Sequence, residues 1–474
     1  MTTWRQLFTL AAMSQPLSFP RPTGPGKLGQ SSGTSLALFA GIFIACTFAV
    51  RGQNSIPEEP LPSSTDDTVV QTDIAPAQPT APLGGLNSQN LSLGGETVSS
   101  STVESAQPRR FHYKLALNIR GVYDDNIFLS HTNRVSDYYF AIEPMLTVGF
   151  GDIEGRGGNF LRLDYMPSVI LFVDHSDQDA VEHLILLEGQ YRFSRLTLNL
   201  SQEVAILDGA NLNSTLDTTG LLANLDVSAR TRLNLFVTRL RANYELTGKL
   251  FLTGEFDASI YDYHDFISSQ IISGGLYINY IMTPKLTVGV GGIFGWDFVE
   301  DPSVDQTFQQ ANFRINYQAT GKLGLSASAG VEVRQFDGDR SDYVSPVFEL
   351  GAIYRPFDGT TITLTGGRRI LNSGFFADQN FGTTYLVGRV QQRLLRRVYL
   401  GLAVGYENSD YFATNRGVNA TREDDYYFVE PSVDVLITRW LSVGAYYLHR
   451  QDCSNLSFFS FYDNQVGVRA TFRF

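Results

Sequence analysis

The sequence has few of the residues that build metal clusters, disulfide frameworks or membrane helices. Its 474 residues include only two cysteines, Cys46 and Cys453, which exclude a disulfide framework and a zinc cluster. After residue 110, no apolar run reaches the roughly 18 residues that a membrane helix needs. The formal net charge of −12 lacks the basic footprint of nucleic-acid binding. We therefore expect no nucleic-acid partner, no cofactor and no metal site.

What the sequence does contain is alternation, most clearly in its last nine residues. Small, hydroxylated or cationic residues separate apolar ones there, and the apolar set is Val466, Val468, Ala470, Phe472 and Phe474. Side chains on a strand alternate between its two faces, so one face of this strand is wholly apolar. We predict that Val468 faces lipid and that Arg469 faces the interior of a barrel.

The first part of the chain has a different composition. Residues 35–50 form the one strong apolar run, which is short for a membrane span and follows cationic residues. We predict a signal peptide over residues 1–49, with an uncleaved anchor helix as the alternative. Residues 50–108 are rich in Pro, Ser, Thr and Gln with almost no aromatics, which predicts a disordered periplasmic linker.

From 109 to 474 the chain repeats one unit of strand, long loop, strand and short turn. Thr247, Thr283 and Thr320 each begin a short Thr-Gly/Pro-Lys turn, and they are 36 and 37 residues apart. The predicted long loops are acidic and aromatic, and they are 174–180, 262–270, 297–307, 335–346, 407–425 and 451–464. Strands of about eleven residues fit a transmembrane β-barrel. We predict an all-β, antiparallel, up-and-down barrel of about eighteen strands, with sixteen as the alternative.

Two phrases resemble a known family. Tyr123–Phe128 reads Tyr-Asp-Asp-Asn-Ile-Phe, and the phrase Asp-Tyr-Tyr-Phe followed by Glu-Pro occurs at 137–144 and again at 425–431. These phrases are similar to the second "putative β-barrel porin" family of Gram-negative bacteria. The resemblance covers about 111–474 and implies a cell outer membrane location, among lipid and lipopolysaccharide. It also implies that the terminal aromatics Phe472 and Phe474 form the signal read by the barrel assembly machinery.

The charged residues on the predicted inner face are the candidate functional residues. A water-filled lumen tolerates such charges and uses them to set ion preference, whereas a dry core does not. The candidates are Glu143, Arg162, Glu188, Arg192, Glu255, Arg314, Glu332 and Arg334. A lattice of ion pairs that blocks the lumen is the structural alternative, and an inward-folded loop at 407–425 is another obstacle.

The expected function is a porin-like passive channel for small hydrophilic solutes, with a homo-oligomer possible. The alternatives are a barrel for surface polysaccharide export, which needs an aromatic ladder in the lumen, and a surface-exposed barrel enzyme. The histidines at 175 and 264 lie among carboxylates, but nothing in the sequence places a nucleophile beside them. We expect no catalytic residue. We interpret the tyrosines near strand ends as interfacial girdles; these are Tyr138, Tyr139, Tyr277, Tyr426, Tyr427, Tyr446 and Tyr447.

Overall fold

The computed structural model describes residues 111–153, 158–209, 226–227, 231–338 and 341–474. The predicted signal peptide and linker lie outside these residues. The described chain forms eighteen strands and one short 3-10 helix, Ser176–Gln178. The strands are β1 (Phe111–Asp124), β2 (Asp137–Gly151), β3 (Phe160–Phe172), β4 (Ala180–Arg192), β5 (Leu196–Gly209), β6 (Thr231–Glu245), β7 (Leu250–Tyr263), β8 (Ser269–Thr283), β9 (Leu286–Val299), β10 (Gln306–Thr320), β11 (Leu323–Phe336), β12 (Tyr343–Tyr354), β13 (Thr360–Asn372), β14 (Gln379–Leu394), β15 (Val398–Ala413), β16 (Glu423–Thr438), β17 (Leu441–Ser454) and β18 (Phe461–Arg473).

These strands form one closed antiparallel barrel. Each strand pairs with its neighbours in the chain, and β1 pairs with both β2 and β18. At the closing seam Gly121 of β1 lies opposite Val468 of β18. The prediction of eighteen strands is confirmed and the alternative of sixteen is wrong. Within the described residues, no helix combines the length and apolar character that a membrane span requires.

The barrel has a short-turn end and a long-connection end. At the short-turn end, threonine hydroxyls fix the turns: Thr247 Oγ accepts a hydrogen bond from the backbone N–H of Leu250 at 3.0 Å, and Thr320 Oγ accepts one from Leu323 at 3.1 Å. Thr438 Oγ does the same for Leu441 at 3.1 Å, without a following Gly or Lys. Threonine therefore carries the turn signal that the sequence repeats.

The connections at the other end are shorter than the sequence predicts. The predicted loop 407–425 is strand up to Ala413 and again from Glu423, leaving 414–422 as the connection. Inside the predicted loop, Tyr411 faces the interior whereas Asp410 is exposed. Acidic and aromatic residues can thus continue the two-residue alternation of a strand, and composition alone does not mark its end.

The two faces of the wall have the polarity that the sequence predicts. Val468 is 59% exposed on the outside, whereas Arg469 is 7% exposed and faces inward. The inner face is not uniformly polar, however. Near the long-connection end, apolar side chains of β1 and β14–β18 form one inner cluster, and those of β3–β6 form a second.

Candidate functional site

The eight predicted lumen charges divide by position. Five are on the inner face and are largely covered: Glu143, Glu255, Arg314, Glu332 and Arg334. Arg162 and Glu188 are half-buried and lie directly opposite each other on β3 and β4. Arg192 is exposed at the short-turn end of β4. The structure therefore brings most of this set into the barrel interior, in separate groups on different parts of the wall.

One group joins nearby strands of the barrel wall around Glu255 of β7. Its carboxylate lies 2.9 Å from Arg314 Nη1 of β10 and 3.6 Å from Arg241 Nε of β6. Arg314 also donates from Nε to Asn279 Oδ1 of β8 at 2.7 Å. Both arginines share this carboxylate, and Asp257 and Glu349 are further acidic neighbours of Arg241, so this stretch of wall presents closely spaced charges of both signs toward the interior.

A second group lies on β9, β10 and β11. Arg334 Nε donates to Glu332 Oε1 at 2.8 Å, and Arg334 Nη1 donates to Asp297 Oδ2 at 3.1 Å. Gln306 accepts from the same Nη1 at 3.2 Å and bonds Asn380 of β14. Two carboxylates share one arginine here, so this stretch of wall is net negative.

Glu143 and Arg162, both among the predicted lumen charges, have other partners than each other. Glu143 binds Arg120 of β1, with Nε to Oε1 at 3.1 Å, and not Arg162. Arg162 instead lies 2.7 Å from Asp164, two residues along its own strand. The seam carries a further pair that the sequence missed, because Arg469 Nε donates to Asp434 Oδ1 at 2.8 Å across the intervening β17.

The girdle interpretation is wrong for four tyrosines. Tyr138, Tyr427 and Tyr447 are exposed on the outside, but Tyr139, Tyr277, Tyr426 and Tyr446 face inward. The pairs 138–139, 426–427 and 446–447 are adjacent in strands, and neighbours in a strand point to opposite faces. One member of each pair must therefore face the interior.

Two of the inward tyrosine rings lie flat on the wall because each is opposite a glycine. The directly paired partners are Tyr277 with Gly291 and Tyr446 with Gly467. A β-carbon added at either glycine would collide with the opposite ring. The rings consequently cover the strands and do not project across the lumen.

Arginines cover these rings from the interior side. The guanidinium of Arg314 lies 4.0 Å from the centre of the Tyr277 ring, and that of Arg469 lies 5.8 Å from the Tyr446 ring. Phe308 has the same arrangement, with Gly295 opposite it and Arg334 at 5.0 Å. Such Arg–aromatic–Gly stacks hold three ion-paired arginines against the wall.

At the long-connection end, Asp226 forms a cross-link over the barrel mouth. Asp226 belongs to the β5–β6 connection and is 6% exposed. Its Oδ2 accepts from the backbone N–H of Gly374 at 2.6 Å, and its Oδ1 accepts from Tyr411 OH at 2.7 Å and Ser373 Oγ at 3.0 Å. In strand order β14 lies half way round the barrel from β5. The Asp226 cross-link therefore joins connections that start on opposite walls.

Arg422 reinforces the cross-link from the β15–β16 connection. Its Nη1 donates to the backbone oxygen of Asp226 at 2.7 Å, and its Nε donates to Asp424 at 2.8 Å. Burial opposes the charge of Arg422, but Tyr411 and Asp226 beside it hold its pKa above the usual range. A permanent cation thus faces the Asp226 carboxylate.

Aromatic rings surround this charged contact. Phe459 lies 3.5 Å from the Arg422 guanidinium, and Phe375 packs edge-on against Phe459 with ring centres 5.0 Å apart. Phe376 contacts both Phe459 and Tyr411. The inward-folded loop was predicted at 407–425, and Arg422 of that range does reach the cross-link. Nothing in the sequence indicated Asp226, a single acid between Leu225 and Val227.

A comparison with family models matches the C-terminal part of the chain. Residues 305–474 match the model of the family described as "Putative beta-barrel porin 2". The phrase at 425–431 lies inside this match, and Tyr123–Phe128 lies outside it. No curated protein matches the chain significantly.

Several solved structures of outer-membrane proteins are similar to the chain at low identity. OpdO of Pseudomonas aeruginosa is 14% identical, with a TM-score of 0.41 over 76% of this chain and 97% of that one. The outer membrane protein OpdK of the same organism is 14% identical, with a TM-score of 0.40 over 77% and 98%. OccAB3 of Acinetobacter baumannii is 13% identical, with a TM-score of 0.39 over 76% and 99%. Values this low say nothing about the solute of this chain.

Proposed function

We propose that this chain, whose residues 305–474 match a porin family model, is an outer-membrane channel for passive diffusion of small hydrophilic solutes. The closed barrel exposes apolar side chains outside, as a lipid-embedded wall requires. Its inner face carries charged groups on many of its strands, which suits contact with water and ions.

The arrangement of the inner aromatics and arginines is the observation that carries the proposal. In the Arg–aromatic–Gly stacks, large rings lie against the strands and long cations lie against the rings. A barrel whose interior served only as a core would point such side chains inward to fill space. Because these large side chains lie against the strands, they leave space along the barrel axis, which favours passage of water and solute.

The two charged groups give the channel mixed polarity. The group around Glu255 and Arg314, with charges of both signs, and the net negative group around Glu332 and Arg334 lie on neighbouring parts of the wall. Both ion signs can approach such a surface, so we propose weak selectivity. The acidic outer connections enrich cations at the mouth at low salt, and screening removes this preference at high salt.

The Asp226 cross-link sets an upper limit on solute size. It spans the long-connection mouth and is surrounded by Phe375, Phe376 and Phe459. Small solutes pass beside the cross-link, and bulky ones are excluded. Polysaccharide export is less suited to this interior, because arginines cover the rings of Tyr277 and Tyr446 that would form a sugar ladder.

Swelling of proteoliposomes in a series of uncharged sugars tests the proposal. We expect the refolded barrel to admit monosaccharides quickly and to admit tri- and tetrasaccharides much more slowly. Protein that is fully folded by heat-modifiability but gives no swelling with any sugar would overturn it. Swelling that is independent of sugar size would contradict the size limit assigned to the mouth.

A further inference from the structure

The motif Tyr123–Phe128 acquires a chemical role from its position at the barrel seam. Asp124 ends β1, and Asp125 begins the β1–β2 connection. Asp463 of β18 lies beside them at the long-connection end, because β1 and β18 close the barrel. The sequence predicted no metal site, since Asp463 lies near the C-terminal end of the sequence, far along the chain from Asp124 and Asp125.

The three carboxylates form one compact group. One oxygen from each lies within 4.8 Å of the corresponding oxygens of the other two. Asp463 is 0% exposed, Asp124 is also buried, and Asp125 is half-buried. Three oxygens bound to one Ca²⁺ at about 2.3–2.6 Å can be separated by up to about 5 Å, so this spacing fits such an ion.

An unsatisfied buried oxygen distinguishes this group from an ordinary acidic cluster. Asp463 Oδ2 accepts from Arg450 Nε and, at 3.4 Å, from Gln465 Nε2. Asp463 Oδ1 is buried and accepts from no amide, guanidinium or hydroxyl group among the residues that the structure describes, and its neighbour Asp124 serves as a donor only in its protonated form. A buried carboxylate oxygen without a donor is costly, and a cation supplies what it lacks.

The hydrogen bonds around the group leave it short of positive charge. Arg450 pairs with Asp463, and Arg134 lies 3.5 Å from Asp125. The other donors are neutral: Gln465 Nε2 to Asp124 Oδ2 at 2.9 Å, and the Asn464 backbone and side chain to Asp125, both at 2.8 Å. Three carboxylates facing two arginines leave a net negative charge in a mostly buried place.

We propose that Asp124, Asp125 and Asp463 form a divalent-cation site that suits Ca²⁺. The ion ties the first long connection to the last strand and so clamps the barrel where its two ends meet. Three protein carboxylates with water completing the shell correspond to weak affinity, on the order of 10⁻⁴–10⁻³ M as in extracellular Ca²⁺ modules. Mg²⁺, which prefers bonds of about 2.0–2.1 Å, fits this spread less well.

Terbium luminescence of the refolded full chain tests the site directly. Tyr123 and Tyr462 flank the aspartates in sequence, so excitation of tyrosine should sensitise bound Tb³⁺, and Ca²⁺ should displace it. We expect Asp463→Asn to abolish most of the Ca²⁺-displaceable signal. Asp177→Asn, which alters an exposed acid on the β3–β4 connection, should leave the signal unchanged.

Urea unfolding with and without Ca²⁺ gives a second, independent readout. At ten times the dissociation constant, Ca²⁺ should raise the folded-to-unfolded ratio about elevenfold for the wild type and not for Asp463→Asn. Asp125→Asn, at a more exposed position, serves if Asp463→Asn does not fold. The proposal is overturned if Ca²⁺ at 10 mM (about ten times the upper estimate of the constant) changes neither readout. It is also overturned if the folded-to-unfolded ratio changes when the pH is lowered but not when Ca²⁺ is added. That result would mean that two of the aspartates share a proton.

Discussion

Removing the Asp226 carboxylate should open the long-connection mouth. Asp226 accepts hydrogen bonds from Gly374 N–H, Tyr411 OH and Ser373 Oγ, and it faces the Arg422 cation. In Asp226→Asn, one carboxylate oxygen becomes an NH₂ group. In one orientation of the amide this donor meets another donor, the backbone N–H of Gly374; in the other it meets the hydroxyls of Ser373 and Tyr411, which must then accept instead of donate.

The size of the effect follows from the charge that the substitution removes. Hydrogen bonds to a charged group contribute about 1.5–3 kcal/mol each, and the neutral amide weakens several of them together with the attraction to Arg422. A loss of about 3 kcal/mol reduces the docked-to-released ratio of the connection about a hundredfold. Tyr411→Phe removes a single bond to this charged group and should reduce the same ratio by about tenfold, at the lower end of that range.

Single-channel recording in planar bilayers measures this release. We expect Asp226→Asn to raise mean conductance and shorten closed events, with Tyr411→Phe intermediate between it and the wild type. Asp208→Asn is the matched control, because Asp208 is an exposed acid at the end of β5 on the same connection. If folded Asp226→Asn conducts like Asp208→Asn and the wild type, the cross-link does not restrict the mouth and the reasoning is refuted.

Three further predictions concern the wall, its assembly and its orientation. Val468→Arg should destabilise the barrel by about 2–4 kcal/mol because Val468 faces lipid. Val468→Leu should be nearly neutral in the same refolding titrations. Equal stability of the two variants would mean that Val468 does not face lipid. Deleting Phe474, which is exposed after β18, should lower the yield of heat-modifiable protein in outer membranes without reducing export. A normal yield would show that Phe474 is not part of an assembly signal. Exposed Cys453, next to the last long connection, should react with a membrane-impermeant maleimide in intact cells of a Cys46→Ser strain, and protection would invert the topology.

The alternation of side chains made the wall predictable. Val468 and Arg469 could be assigned to opposite faces from the sequence, because a strand has only two faces and lipid accepts only one kind of residue. The threonine turns were equally readable, since each threonine hydroxyl accepts from the backbone N–H two residues further on. Because the number of strands is even, β1 and β18 run antiparallel and can pair to close the barrel.

Partners that meet across several strands were not predictable. Glu143 shares the inner face with both Arg120 and Arg162, and only the register and rotamers select Arg120. Asp226 accepts hydrogen bonds from residues about half way round the barrel, and no local sequence pattern predicts a contact over that separation. The inward tyrosines were misassigned because the rule for aromatic belts was applied without the alternation that limits it.

The current carried by the refolded wild-type barrel tests the central claim most directly. Recorded across a KCl gradient at low and at high salt, the folded protein should give stepwise conductance with a weak cation preference that shrinks as salt rises. Fully folded, heat-modifiable barrels that insert into the bilayer and carry no current at either salt concentration would contradict the account.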